Sequence, residues 1–432
     1  MSQFFSYLAL YKDKFKNKSN KVLLENFLSL FFLQIANYVA PLITIPYLVR
    51  VLGPEMYGIV SAAQYLIQYF VILTDYGFNF SATRLISIHR DDIKQLSKIF
   101  SSVILIKLTL LIVSFILLGL ILLFYSRYGN YWELYLITFS LVAGNVLFPQ
   151  WLFQGLEKMR LISITNVVTK LIFLAGIFVF IQSSDDYLWV PILLGMGYLV
   201  SGFFALIYLR FKLGIRFIFP SLADVIWQLK DGWHLFLSTI SATLYINSNG
   251  FLLDIITQNP VWVGYYAAGE KVVRAITAAF IPLTTALYPF ITKKIYENKK
   301  AGITLFFKFL KWVAVGGFVA SILTFTLGEN LSSIVLGKNF LESTSVIQIL
   351  AVIPFFGTIG SMVTYQLFIN IGLKHIITRI LIVAFSLDII LNFVLIPKYG
   401  YNGAAIALAV TEVFCPLAFL TYYKFRYKAI KS

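Results

Sequence analysis

The feature that most constrains this chain is a succession of twelve apolar runs joined by short polar segments. The runs cover residues 22–49, 57–74, 99–125, 131–153, 161–181 and 187–209, then 233–256, 261–291, 303–327, 344–373, 376–396 and 403–423. Each is near or above the ~20 residues that carry a helix across ~30 Å of hydrocarbon. Lipid offers no partner to backbone N–H and C=O groups, so a spanning segment satisfies them within itself, as a helix. The sequence therefore predicts an all-α integral membrane protein with twelve transmembrane helices.

Charge supports that map. Only 12% of residues are charged and 59% are hydrophobic, against about 25% charged in a soluble domain. The net charge of +16 first suggests nucleic acid. That class is excluded because the basic residues form no stripe; they occupy the segments between runs. With the N-terminus inside, the cytoplasmic segments hold 25 of the 35 Lys and Arg. The outer loops hold Arg50, Arg127, Lys338 and Lys398, and Lys107, Lys170, Lys271, Arg274, Lys308 and Lys311 fall within runs. Such an asymmetry is how an inner-membrane protein fixes its orientation, and one missed span would invert half of it. The expectation is a multi-pass bacterial inner-membrane protein with both termini in the cytoplasm. The basic N-terminal segment leads into a long run with no small-residue cleavage site, which reads as an uncleaved first span.

Catalytic chemistry finds little support. The single cysteine, Cys415, excludes a disulfide framework, and His89, His234 and His375 show no metal-ligand spacing. The longest outer loop, near residues 328–343, is too short for an extramembrane active site. No Walker-type Gly-Lys-Ser/Thr motif occurs, so direct ATP use is not expected. The reading is a non-enzyme without cofactor or metal.

The twelve runs divide into two sixes. Residues 1–213 form one half, 214–232 a cytoplasmic connection, and 233–432 the other half. Local echoes support a repeat. Pro54 and Gly58 enter the second run as Pro260 and Gly264 enter the eighth, and the segment from Trp151 to Lys158 is echoed by that from Gln366 to Lys374. Parallel repeats of this kind are a known transporter architecture.

Several of these residues also carry a resemblance. The segment from Pro46 to Gly58, with Asp75-Tyr76-Gly77-Phe78-Asn79, Ala82-Thr83, Trp151-Leu152-Phe153-Gln154-Gly155 and Glu157-Lys158-Met159, is similar to the signatures of the polysaccharide transporter family, the Wzx-type O-antigen flippases. Asp231-Gly232-Trp233-His234 before the seventh run also fits. The resemblance covers most of the chain and is strongest over its first 160 residues. It implies the larger MOP superfamily of MATE exporters and lipid II flippases, with two six-helix bundles related by a pseudo-two-fold repeat around a central cavity. The implied cargo is an undecaprenyl-pyrophosphate-linked oligosaccharide, an O-antigen repeat unit, moved from the cytoplasmic to the periplasmic leaflet in lipopolysaccharide O-antigen and surface polysaccharide biosynthesis. Implied partners are that carrier lipid, membrane lipid and other polysaccharide-assembly proteins, with no nucleic acid. Lipid II flippases carry two additional spans, so twelve runs favour the O-unit branch.

Ionisable groups at mid-membrane depth are costly, so each is a functional candidate. Lys271 and Arg274, three residues apart in the eighth run, share a helix face and suit an anionic pyrophosphate. The alternative is that Glu270 pairs with Arg274 and merely neutralises it. Asn247 and Asn249 in the seventh run either line a bend at Asn249-Gly250 or bond to neighbouring helices. Gln34 and Asn37 in the first run, and Gln64 and Gln68 in the second, form either a cavity stripe or polar glue between spans. Lys107 and Lys170 face the cavity or snorkel to the inner face. Asp388, Glu412 and Glu270 are candidates for ion coupling or for pairing with a buried cation.

Two other functions compete with the flippase. A MATE-like, ion-coupled small-molecule exporter of cations would favour a cavity rich in carboxylates, whereas the groups within runs are mostly cationic. A membrane polysaccharide polymerase would need a large polar outer loop.

Overall fold

The structure, a computed structural model, describes residues 18–427, with side chains from Ala40 to Phe425 apart from 234, 238, 239 and 241–246. Its elements are helices: α1 (Lys18–Asp75), α2 (Phe78–Ile88), α3 (Ile93–Phe124), α4 (Trp132–Leu147), α5 (Met159–Phe180), α6 (Trp189–Lys212) and α7 (Leu222–Thr257). There follow α8 (Pro260–Ala278), α9 (Ile281–Glu297), α10 (Lys299–Thr326), α11 (Ser343–Leu350), α12 (Ile353–Met362), α13 (Lys374–Tyr399) and α14 (Tyr401–Tyr422). All twelve apolar runs fall on helix, and the described residues contain no strand.

The count of spans is less simple than the run count. Among the described residues, eight helical segments are long and apolar enough to cross a membrane, or ten if each bent pair is one span. Three breaks account for much of the difference. The first two runs lie on α1, which is interrupted at Gly53 (φ 69°, ψ 175°), a conformation that a side chain resists. The eighth run bends by 40° between α8 and α9, and the tenth by 41° between α11 and α12. In both, a proline follows closely (Pro282 and Pro354) and lacks the N–H a continuing helix would need.

Caps fix where several helices begin. Asn259 accepts from the amides of Val261 and Trp262 at the start of α8, with Pro260 at the first helical position. Ser221 and Asp224 form a capping box at the start of α7. The Ser221 hydroxyl and, after it, the Lys98 ammonium hold the Asp224 carboxyl below the usual carboxylate range.

Three clusters of buried side chains make the core. One joins residues from both halves of the chain, among them Leu52, Val60, Leu134, Val190, Leu253, Val273, Ile347 and Leu408. They lie toward the end that the charge count assigns to the outer face, here called the outer end. A second holds only residues 78–215 and a third only residues 291–419, both toward the opposite, inner end. The halves thus share a core at the outer end and have separate cores at the inner end, where the start of α7 still packs on the first half: the Phe236 ring stacks on Tyr76, and Asp231 pairs with Arg84. The exterior is apolar: Phe124 is 85% exposed, and Leu123, Phe203, Phe204 and Val383 are also exposed, as a lipid-facing surface requires.

The halves cross where α1 meets α8. A β-carbon on Gly58 would fall 1.8 Å from the Pro260 carbonyl oxygen, and one on Gly264 would fall 2.1 Å from that of Pro54. Pro54 touches Gly264 while Pro260 touches Gly58. That reciprocity is the signature of a two-fold contact.

Candidate functional site

A cavity of about 370 Å³ opens beside this crossing. Its walls come from both halves: Pro41, Thr44, Tyr57, Ser61 and Gln64 on α1, Phe173 on α5, Val190 and Leu194 on α6, and Lys271, Arg274 and Ala278 on α8. The two cations stand on one face of α8 because they are three residues apart. The Lys271 ammonium lies 4.8 Å from the centre of the Tyr57 ring, within cation–π range. The Arg274 guanidinium donates from Nε to Glu270 Oε1 at 2.7 Å, and the Tyr65 hydroxyl donates to Glu270 Oε2 at 2.9 Å. Glu270 is buried, with 7% of its side chain exposed, whereas Arg274 keeps 33%. The i,i+4 pair held open by the sequence is therefore formed, and its arginine is also part of the cavity wall.

A second polar centre lies between α7, α13 and α14. Asp388 is fully buried; its Oδ2 accepts from Ser248 at 2.6 Å and from Asn392 at 3.2 Å, and Thr411 donates to Oδ1 at 3.4 Å. Asn392 also donates to Asn249 Oδ1 at 2.8 Å. Glu412 follows Thr411 on α14 and is buried.

The sequence candidates separate accordingly. Lys271, Arg274 and Gln64 line the cavity, Glu270 stands behind Arg274, and Asn249 joins Asp388. No bend occurs at Asn249-Gly250: α7 runs through it, and the polar side chains bond to a neighbouring helix instead. Lys107 departs from the cavity expectation. Its side chain is 1% exposed, 3.2 Å from Asp75, in a small polar pocket with Asn79, Asn145 and Asn166 inside the first half. The physical reason is the carboxylate at the end of α1, which offers a closer partner than the cavity does. Asn247, Gln68 and Lys170 are half-buried and outside the lining of the cavity. The side chains of Gln34 and Asn37 lie outside the described residues.

Sequence reasoning missed Tyr57, Tyr65, Ser248, Asn392 and Thr411. Asn392 was detectable, since it stands four residues after Asp388, the spacing that puts two side chains on one helix face. Tyr65 was not, because its partner Glu270 is 205 positions away.

A cavity with two cations in a largely apolar wall, set between two packed groups of apolar spans, defines a multi-pass membrane transporter. The fold agrees with solved structures of that class: a lipid II flippase, MurJ, in an inward closed conformation (TM-score 0.74, 15% identity, 92% of this chain and 87% of that one), and an inward-facing multidrug resistance MATE family transporter of the MOP superfamily (TM-score 0.68, 11% identity, 91% and 95%). Residues 23–294 match the family described as "Polysaccharide biosynthesis protein", and the chain belongs to that family. Similar relatives include proteins named "Putative O-antigen transporter" from Escherichia coli strain K12 (30% identity, 92% of this chain, 95% of that one) and from Shigella dysenteriae (28%, 93% and 100%).

Proposed function

We propose that this protein is a flippase that carries an undecaprenyl-pyrophosphate-linked oligosaccharide from the cytoplasmic to the periplasmic leaflet of the inner membrane by alternating access. The observation that carries the reading is the pair of cations, Lys271 and Arg274, in the wall of a cavity built from both halves. An anionic, hydroxylated headgroup needs cations and hydrogen-bond partners in a place where lipid offers neither. Gln64 adds an amide to the same wall. Family membership and the names of the relatives support a polysaccharide-linked cargo over a small drug.

In this reading, residues 1–213 and 233–432 are the two moving units, the termini are cytoplasmic, and no step is enzymatic. The shared core at the outer end and the separate cores at the inner end favour an inward-facing state. The buried carboxylate Asp388, with Ser248, Asn249, Asn392 and Thr411, is the stronger candidate for ion coupling; Glu412 stands beside it, and Glu270 serves Arg274.

Deleting the gene should remove the surface polysaccharide while lipid-linked repeat units accumulate facing the cytoplasm, as judged by their resistance to a membrane-impermeant glycosidase in intact spheroplasts. Failure of repeat units to form at all would make an assembly enzyme the better reading.

A further inference from the structure

Two contacts at the outer end have the same construction. The short helical turn Ser126–Gly129, between α3 and α4, reaches the last turns of α7. The Arg127 guanidinium donates to the Asp254 backbone oxygen at 3.0 Å and to Oδ1 at 2.5 Å, and the Tyr128 hydroxyl donates to Oδ2 at 2.7 Å. On the other side, Arg50, at the outer end of the first run, donates to the backbone oxygen of Ile334 in the loop between α10 and α11. Asp254 lies 204 positions after Arg50, and Ile334 lies 207 after Arg127. These offsets match the 206 that separates Gly58 from Gly264. Each half therefore sends its second outer loop over the first helix of the other half.

We infer that these reciprocal contacts are the outer gate, and that Arg127 and Tyr128 on Asp254 form its main latch. The inference rests on the alternating-access reading above, since a transporter that opens outward must part the halves here. The two clasps are unequal. Arg50 holds a neutral carbonyl, whereas Arg127 holds a carboxylate whose side chain is 1% exposed. A buried ion pair gains Coulomb energy but loses hydration, so its net hold is modest when both groups can reach water. Parting the outer end would hydrate both, which suits a latch that must release on every cycle. Removing one partner is different: it strands a buried charge, and the open state becomes the route by which that charge finds water.

The test reads access rather than transport, so its outcome does not depend on cargo identity. In a Cys415→Ser background, Ala275→Cys places a thiol in the cavity wall. A membrane-impermeant maleimide is added to spheroplasts from the outside, and to inverted vesicles from the inside. With the latch intact, outer labelling should be slow and inner labelling fast. Arg127→Ala should raise the outer rate about tenfold or more, and Asp254→Asn, which keeps shape while removing charge, by less. Tyr128→Phe should fall between Asp254→Asn and the intact chain. The inner rate should fall in the same variants, whereas a misfolded chain would label faster from both sides and overturn the assignment. Outer rates in Arg127→Ala and Asp254→Asn equal to the intact chain's, at normal abundance, would likewise overturn it.

Discussion

Gly58 on α1 and Gly264 on α8 face each other across the junction of the two halves, each packed against the carbonyl of a proline in the other's helix. The obstruction on both sides is backbone, which cannot rotate away. Gly264→Ala would place its β-carbon 2.1 Å from the Pro54 oxygen and force the helices apart. Overpacking of this kind costs about 1–3 kcal/mol. The expected result is a lower melting temperature in detergent and reduced abundance, with Gly58→Ala at least as damaging. Normal thermal stability in both would mean that the crossing is not the tight contact described.

Lys271 depends on Tyr57 for placement rather than for charge. The Tyr57 hydroxyl is buried and has no hydrogen-bond partner among the described residues, so only the ring supports the ammonium. Tyr57→Phe should leave transport close to normal. Tyr57→Leu should reduce it a few-fold, in keeping with a cation–π contact worth about 0.5–2 kcal/mol. Equal defects in both variants would point to the hydroxyl instead.

Asp388 is a carboxylate with neutral hydrogen-bond partners around it and no cation within bonding distance among the described residues. Asp388→Asn preserves the shape and most of the hydrogen bonds. Transport measured in vesicles under imposed proton or sodium gradients should lose its gradient dependence in this variant. Undiminished stimulation by the gradient would remove Asp388 from the coupling role.

Orientation follows from charge. Reporters fused after Lys18, Lys212, Lys299 and Lys428 should report cytoplasm, and those after Gly129, Asp185 and Gly337 periplasm. A cytoplasmic signal at Asp185 would break the twelve-span map.

Much of the fold was legible because lipid imposes one rule on every span: apolar length and internal hydrogen bonding. The runs therefore located α3 to α6, α10, α13 and α14 directly. Breaks were harder to read. The bend between α8 and α9 occurs inside a single apolar run, 261 to 291, where hydropathy gives no cue and only Pro282 hints at it. At the site, Lys271 and Arg274 stood out because charge is rare in a span. Their settings did not: Tyr57 reaches Lys271, and Tyr65 reaches Glu270 behind Arg274, from another helix, and Lys107 is drawn to Asp75 by a contact 32 positions back. Pairings across helices leave no periodic trace in a single sequence.

Arg274 is bound to Glu270 and stands in the cavity wall, so two accounts of it must be separated. In the first, Glu270 and Tyr65 aim the guanidinium, and phosphate oxygens of the cargo take up the charge during passage. In the second, the pair is structural and the cavity needs neither member. Arg274→Ala alone does not decide, because it strands a buried carboxylate, at a cost of about 3–5 kcal/mol. The double variant Glu270→Gln/Arg274→Gln is the sharper test, since it removes both charges of the pair and keeps hydrogen-bonding groups at both positions. Cargo recognition predicts that this chain is made at normal abundance and transports at least ~10-fold more slowly, the scale of losing one or two charge-assisted hydrogen bonds. Arg274→Lys should recover part of the rate, since the charge remains but the planar fork is lost. Glu270→Gln alone should be milder than Arg274→Ala, because the cation survives. A double variant with full transport would assign Arg274 to structure and leave Lys271 as the cation that meets the cargo.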